Sequence, residues 1–147
     1  MDIGGSSCPF CAIIAGDDLD ARVIFQDRQI LAFFQTDPAV LGHTMLVPRQ
    51  HVPDIWALGG DLAGVLGRAT VQLASAIRRA MKPHGLNVIQ SNGEAATQTV
   101  MHLHVHLVPR WRTDSIGRIW PPETSFTEDQ KDYACEAIRS ECRSLRF

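Results

Sequence analysis

Between Asp61 and Lys82 the apolar residues Leu62, Val65, Leu66, Ala69, Leu73, Ala76, Ile77 and Ala80 recur every three or four residues. That spacing predicts a helix with one apolar stripe, ended before Pro83 and Gly85. Short runs rich in β-branched and aromatic residues surround it. They are "ARVIFQD" and "QILAFFQT" about the turn Asp27-Arg28, then "TMLVP", "LNVIQS" and "VMHLHVHLVP". Each predicts a short strand. "CPFCAII" predicts a short helix, because Pro9 suits the first helical position. A last helix is expected from Glu128 to Arg143, since Thr127 and Gln130 have the spacing of a capping box. Five strands and two main helices without regular βαβ alternation predict an α+β fold with a mostly antiparallel sheet. The order of the strands does not follow from the pattern.

The chain has 147 residues, 45% of them apolar, which suits one compact core. No repeat, low-complexity tract or linker interrupts it. A single domain over residues 1–147 is therefore expected, with its core at 8–112 and a C-terminal helical extension at 120–147. A formal charge of −2 leaves no basic footprint for nucleic acid. No apolar run approaches the ~20 residues of a membrane span. The opening "MDIGGSSCPF" lacks the charged and apolar regions of a signal peptide. These features predict a cytoplasmic protein, where structural disulfides are disfavoured for its four cysteines.

Three of the six histidines, His102, His104 and His106, alternate in "MHLHVHLVPR". Strand geometry places them on one face and Leu103, Val105 and Leu107 on the other. The leucine and valine face reads as core. Three imidazoles in a row are hard to explain as packing, because each ring needs polar partners. They can bind a metal, as neutral imidazole does, or one of them can attack phosphorus while its neighbours donate to phosphate oxygens. The preceding "NGEAATQT" favours the second reading: Asn92, Gly93, Gln98, Thr99 and the loop amides are groups that hold phosphate. "CPFC" has the spacing that lets two thiolates, Cys8 and Cys11, reach one ion. A redox pair or two buried thiols are the alternatives, although no thioredoxin-like βαβ pattern surrounds the motif.

"HLHVHLV" fits the pattern His-φ-His-φ-His-φ-φ, with φ apolar, and the chain resembles the histidine triad (HIT) nucleotide hydrolases and transferases. "CPFCAIIAGD", "ILAFF", "DPAVLGHTMLVPRQH" and "NGEAATQTVMHLHVHLVPR" extend the resemblance from Cys8 to Arg110. The resemblance implies a HIT-like fold and a homodimer acting on purine nucleoside phosphoramidates or similar mononucleotide conjugates. It implies His104 as nucleophile on the α-phosphate, forming a nucleotidyl-histidine, with His106 at the phosphate or leaving group. Gln98, Thr99 and Asn92 are implied to position the phosphate. Zinc-containing bacterial members and the related galactose-1-phosphate uridylyltransferases imply a structural zinc held by Cys8, Cys11, His51 and His102.

The chain departs from the family where ribose is bound: Gln35 stands where Asp or Asn is usual. Ser91 and Thr97 replace the usual Asn and Gly of the phosphate loop. These departures keep two alternatives open, a dinucleoside polyphosphate hydrolase and a weakly catalytic nucleotide-binding module. A single ion on all three strand histidines is a further reading, which CPFC and His51 disfavour. Among the remaining residues, His43 reads as a structural histidine at a strand start and His84 as a solvated turn residue. Cys135 and Cys142, seven apart on one helical face, read as packing. Ile13, Phe25, Ile30 and Phe33 suit either a base pocket or the core. Trp120 in "RIWPPE" matches a tail that reaches the active site in some relatives.

Overall fold

A computed structural model describes residues 7–147, so the signal-peptide reading, which rests mainly on residues 1–6, lies outside the described residues. The chain divides into two compact units, the first ending at Ser115 and the second spanning Ile116–Phe147. In the first, α1 (Pro9–Ala15), β1 (Val23–Gln26), β2 (Ile30–Phe34), β3 (Thr44–Pro48), α2 (Gly60–Met81), β4 (Gly85–Gln90) and β5 (Val105–Arg110) follow one another. The sheet runs β1-β2-β3-β5-β4 and every neighbouring pair is antiparallel. The architecture is the α+β fold with an antiparallel five-stranded sheet that the pattern predicts.

Local chemistry explains the element ends. The carboxylate of Asp27 accepts the backbone N–H groups of Gln29 and Ile30 at 2.8 and 2.9 Å, closing the turn between β1 and β2. These two bonds hold its pKa below the usual value. Lys82 caps α2 in the left-handed region at φ 49°, just before Pro83, which disfavours helix in the residue ahead of it.

Alternation along the strands divides the core. Ile30, Ala32, Leu46, Leu103, Val105 and Leu107 face α2 and meet its stripe of Leu66, Ala69, Leu73 and Ile77. Burying each large member of that stripe contributes about 1.5–3 kcal/mol. Leu31, Phe33, Met45 and Val47 share the opposite face with Phe10 and Ile13 of α1. Met45 pairs with His106 across β3 and β5, so the histidines belong to this second face.

The expected fifth strand is shorter than its sequence pattern. β5 begins at Val105, leaving His102 and His104 in the chain that leads into it. The ladder stops at Val105 because β4 ends at Gln90 opposite it, and upstream the N–H of Leu103 turns to the carbonyl of Val52 at 2.6 Å. The alternation survives: Leu103 and His102 are 1% and 0% exposed on opposite sides.

In the second unit α3 (Glu128–Cys142) starts at the capping box expected of Thr127 and Gln130, with both reciprocal bonds formed. Its side chains are exposed, including the thiols of Cys135 and Cys142, and the sulfur of Cys135 accepts from Arg139 Nη2 at 3.4 Å.

Candidate functional site

Two groups of side chains meet on the α1 face of the sheet. The first is the cysteine–histidine cluster. Cys8 is the N-cap of α1 and its sulfur accepts the N–H of Cys11 at 3.4 Å. His51 follows β3, and His102 precedes β5. Their four donor atoms all lie within 4.8 Å of one another. The Nδ1 of His102 is 3.5 Å from both sulfurs, and the Nδ1 of His51 is 3.3 Å from Cys11 Sγ.

These separations suit a shared ion. Metal–sulfur and metal–nitrogen bonds of about 2.3 and 2.05 Å at a tetrahedral angle put S and N about 3.6 Å apart. The far nitrogen of His102 fits as well, lying 2.8 Å from the carbonyl oxygen of Pro48. A ring N–H donated there leaves Nδ1 as the lone pair, the arrangement of a metal-ligating histidine. Burial, followed by the thiol of Cys8, pushes the Cys11 thiol up to about 11. Two neighbouring thiolates need a cation between them. The donor set therefore fits a metal ion.

The second group is His43, His104 and His106, and its hydrogen bonds assign the tautomers. His104 Nδ1 lies 2.7 Å from the carbonyl oxygen of His102, which can only accept. Nδ1 thus carries the proton, and Nε2 presents a lone pair. At His43 the logic runs from the other end. The N–H of Ala39 donates to His43 Nδ1 at 3.1 Å, so His43 Nε2 carries the proton. It donates to His106 Nδ1 at 2.9 Å, which leaves the proton of His106 on Nε2. Adjacent rings 5.0 Å apart therefore offer one acceptor and one donor. Burial lowers the pKa of His43 and His104. It lowers that of His106 to about 4, with the charges of His104 and His43 adding to the effect. All three are neutral near pH 7.

Gly42 makes the approach of His43 possible. At φ 95° it takes a conformation open to glycine, and a Cβ there would meet Pro109 Cγ at 3.0 Å. Gln35, at the end of β2, is tied to the same place because its N–H donates to the carbonyl of His43 at 3.0 Å. Its side-chain oxygen accepts the N–H of Thr36 at 2.9 Å, which leaves the amide NH2 as the outward group.

The loop residues are engaged with the protein itself. Gln98 is 3% exposed; its oxygen accepts the N–H of Gly93, and its NH2 donates to the carbonyls of Pro53 and Val100. Both donor hydrogens are occupied, so Gln98 braces the loop from within. Asn92 forms a reciprocal amide pair with Gln90 and accepts the N–H of Ile55. Thr99 is exposed beside Cys8 and His51 at the rim of a surface cavity. Thr97 adopts the left-handed region at φ 68°.

A family model for the HIT domain matches residues 17–113. The chain belongs to the HIT family. This HIT protein is 38% identical to Protein hit of Bacillus subtilis over 115 residues, 78% of the chain and 79% of the relative. It is 29% identical to the adenosine 5'-monophosphoramidase hnt1 of Schizosaccharomyces pombe over 126 residues, 85% of the chain and 91% of that protein. The crystal structure of a HIT family member from Bacillus subtilis superposes with a TM-score of 0.82 at 31% identity, covering 96% of this chain and 99% of the other. A zinc-bound histidine triad family protein from Mycobacterium smegmatis gives 0.72 at 29% identity, covering 97% and 100%.

Within the HIT domain the residue that sequence reasoning undervalued is His43. Read as a structural histidine at a strand start, it is the hydrogen-bond partner that sets His106. The signal that finds it is the β3–β5 register, which pairs Thr44 with Leu107 and Met45 with His106. Of the residues weighed for a base pocket, Ile13 and Phe33 lie on the histidine face, Ile30 lies in the α2 core and Phe25 is exposed. His84 is exposed, as expected of its turn.

Proposed function

We propose that this chain is a nucleotide hydrolase or nucleotidyltransferase that cleaves purine nucleoside phosphoramidates or similar mononucleotide conjugates through a nucleotidyl-His104 intermediate. The observation that carries the reading is the pair of opposite tautomers on neighbouring rings, a lone pair at His104 Nε2 and a proton at His106 Nε2. His104 attacks the α-phosphorus, and the bond to the leaving amine breaks. His106 keeps its proton and donates a hydrogen bond from Nε2 to the phosphate or the leaving nitrogen, which takes its proton from solvent. In the second step water attacks the phosphorus, frees His104 and gives its proton to solvent. Burial keeps both rings neutral, so attack needs no prior deprotonation.

The remaining assignments follow the same reading. Thr99 positions the phosphate, while Gln98 and Asn92 act by shaping the loop that presents it. Gln35 offers its NH2 at the nucleoside end. Cys8, Cys11, His51 and His102 hold a structural zinc of the bacterial type. All four positions of such a site are filled by protein, so the ion would neutralise the thiolates and brace α1 rather than activate water. The protein works as a cytoplasmic homodimer, and residues 1–147 form one functional domain.

A second reading is a nucleotide-binding module with little turnover. It is favoured by Gln98, whose donors are occupied by Pro53 and Val100. Cleavage of dinucleoside polyphosphates is the enzymatic alternative.

One experiment separates the three. Wild type and His104→Ala are incubated with adenosine and guanosine phosphoramidates and with diadenosine polyphosphates, then assayed for released mononucleotide and a trapped adduct. Release from the phosphoramidates by wild type alone, with the adduct on His104, is expected. Binding without release would establish the module, and equal release by His104→Ala would remove the nucleophile.

A further inference from the structure

Phe10 stands between the two cysteines of the four-donor cluster and is 8% exposed. Its ring meets His104 at a centroid distance of 5.1 Å and an angle of 80°, and His102 at 6.0 Å and 73°. Phe33 of β2 backs it at 5.3 Å. We propose that Phe10 is a positioning residue for His104, its ring setting the plane of the imidazole and so the direction of the Nε2 lone pair. The inference rests on the reading of His104 as nucleophile.

The hydrogen bond from His104 Nδ1 to the carbonyl of His102 fixes one ring atom. A ring held at one atom can still pivot about it, and the direction of Nε2 then depends on what touches the ring. His106 touches it at 71°, but that ring must itself act on the substrate. Phe10 has no polar atom, so it can hold His104 without competing for its proton or lone pair. The perpendicular contact is the favourable geometry for two rings.

Phe10 is held in turn by its place in the chain. A helix of seven residues is too short to persist by itself, and α1 depends on its anchors. Those anchors are Cys8 and Cys11 on either side of Phe10, together with the apolar cluster of Ile13, Phe33 and Met45. The metal-binding helix thereby reaches the nucleophile by two routes, the carbonyl of His102 and the ring of Phe10.

Metal-loaded Phe10→Leu keeps apolar bulk but loses the flat ring. It should retain its metal content and lose roughly tenfold to a hundredfold in kcat with KM within about twofold, since small misplacements of reacting groups cost that much. Phe10→Tyr, which keeps the ring, should recover kcat to within about threefold. Two-bond 1H–15N spectra of the imidazoles give a readout that needs no turnover. They should show the Nδ1–H tautomer for His104 in both proteins, held by the carbonyl of His102, with exchange-broadened His104 signals in Phe10→Leu as the ring pivots. If Phe10→Leu loses its metal, Phe10→Met, which fills the same space flexibly, takes its place. Unchanged His104 signals in the metal-loaded variant, or a rise in KM with kcat intact, would overturn the assignment. Absence of nucleotide cleavage by wild type would remove the proposed function and leave the spectra to decide on Phe10.

Discussion

The Nε2 of His43 lies 2.9 Å from the Nδ1 of His106, and the N–H of Ala39 on the other side of His43 fixes the direction of that bond. A proton on His106 Nε2 is thus dictated by a backbone amide two links away. In His43→Ala the imidazole of His106 would partition between tautomers, so part of the population still presents the donor. The expected loss in kcat is about tenfold. That is well short of the ~10²–10³ associated with removing a hydrogen-bond donor aimed at the reacting group, as expected for His106→Ala. Steady-state kinetics of both variants check the ranking, and equal losses would mean that His43 does more than orient its neighbour.

Metal removal should act on stability before it acts on binding. The cluster joins α1 to the start of the β5 segment through Cys8, Cys11, His51 and His102. Wild type should carry one zinc per chain, and Cys8→Ser should lose it and melt several degrees lower. Zinc affinity should fall as the pH is lowered, because protons compete for the thiolates and the Cys11 thiol holds its proton to about 11 without an ion. Elemental analysis and thermal melts across pH test this. A Cys8→Ser protein with unchanged zinc would remove the ligand set.

The cysteine–histidine cluster and the histidine row were legible because each rests on local spacing or on a motif. Two residues separate the cysteines, and strict alternation places His102, His104 and His106 on one face. The role of His43 was not legible. It depends on the pairing of β3 with β5, a non-local register that hydrophobic pattern does not determine. The surroundings of Gln98 were not legible for a related reason: its amide NH2 donates to the carbonyls of Pro53 and Val100, and side-chain partners of that kind follow from the folded path of the chain. The early start expected for the last strand came from reading alternation as a ladder. Alternation continues through His102 and His104, but β4 ends at Gln90 opposite Val105 and the N–H of Leu103 bonds Val52 instead of a strand.

Stability should rise with pH across the acid side. The pKa of His106 is lowered to about 4, by burial first and then by His104 and His43, and that of His43 is lowered by burial. The unfolded chain takes up protons near the ordinary histidine value of about 6.5, which the folded protein refuses until the pH is much lower. The unfolded state therefore binds more protons in this window, and stability falls as the pH drops from about 6.5 toward 4. Above that range these residues contribute no slope. Melting temperature against pH measures the effect, and His106→Gln should flatten it. An unaltered slope would place its source elsewhere.

Thr97 should be replaceable by glycine with a gain in stability. Its φ of 68° is in the left-handed region, which costs a branched side chain about 1–2 kcal/mol, and among the described residues its hydroxyl bonds only the neighbouring carbonyl of Ala96 at 2.6 Å. Glycine removes that strain but loses more entropy on folding, by about 0.5–1 kcal/mol. The balance favours Thr97→Gly by about 0.5–1 kcal/mol. The gain should leave the loop path intact, because Gln98 and Gly93 are held by bonds that Thr97 does not make. Denaturant unfolding of the two proteins checks the sign. A destabilised Thr97→Gly would mean that the threonine side chain contributes more to the loop than its backbone strain costs.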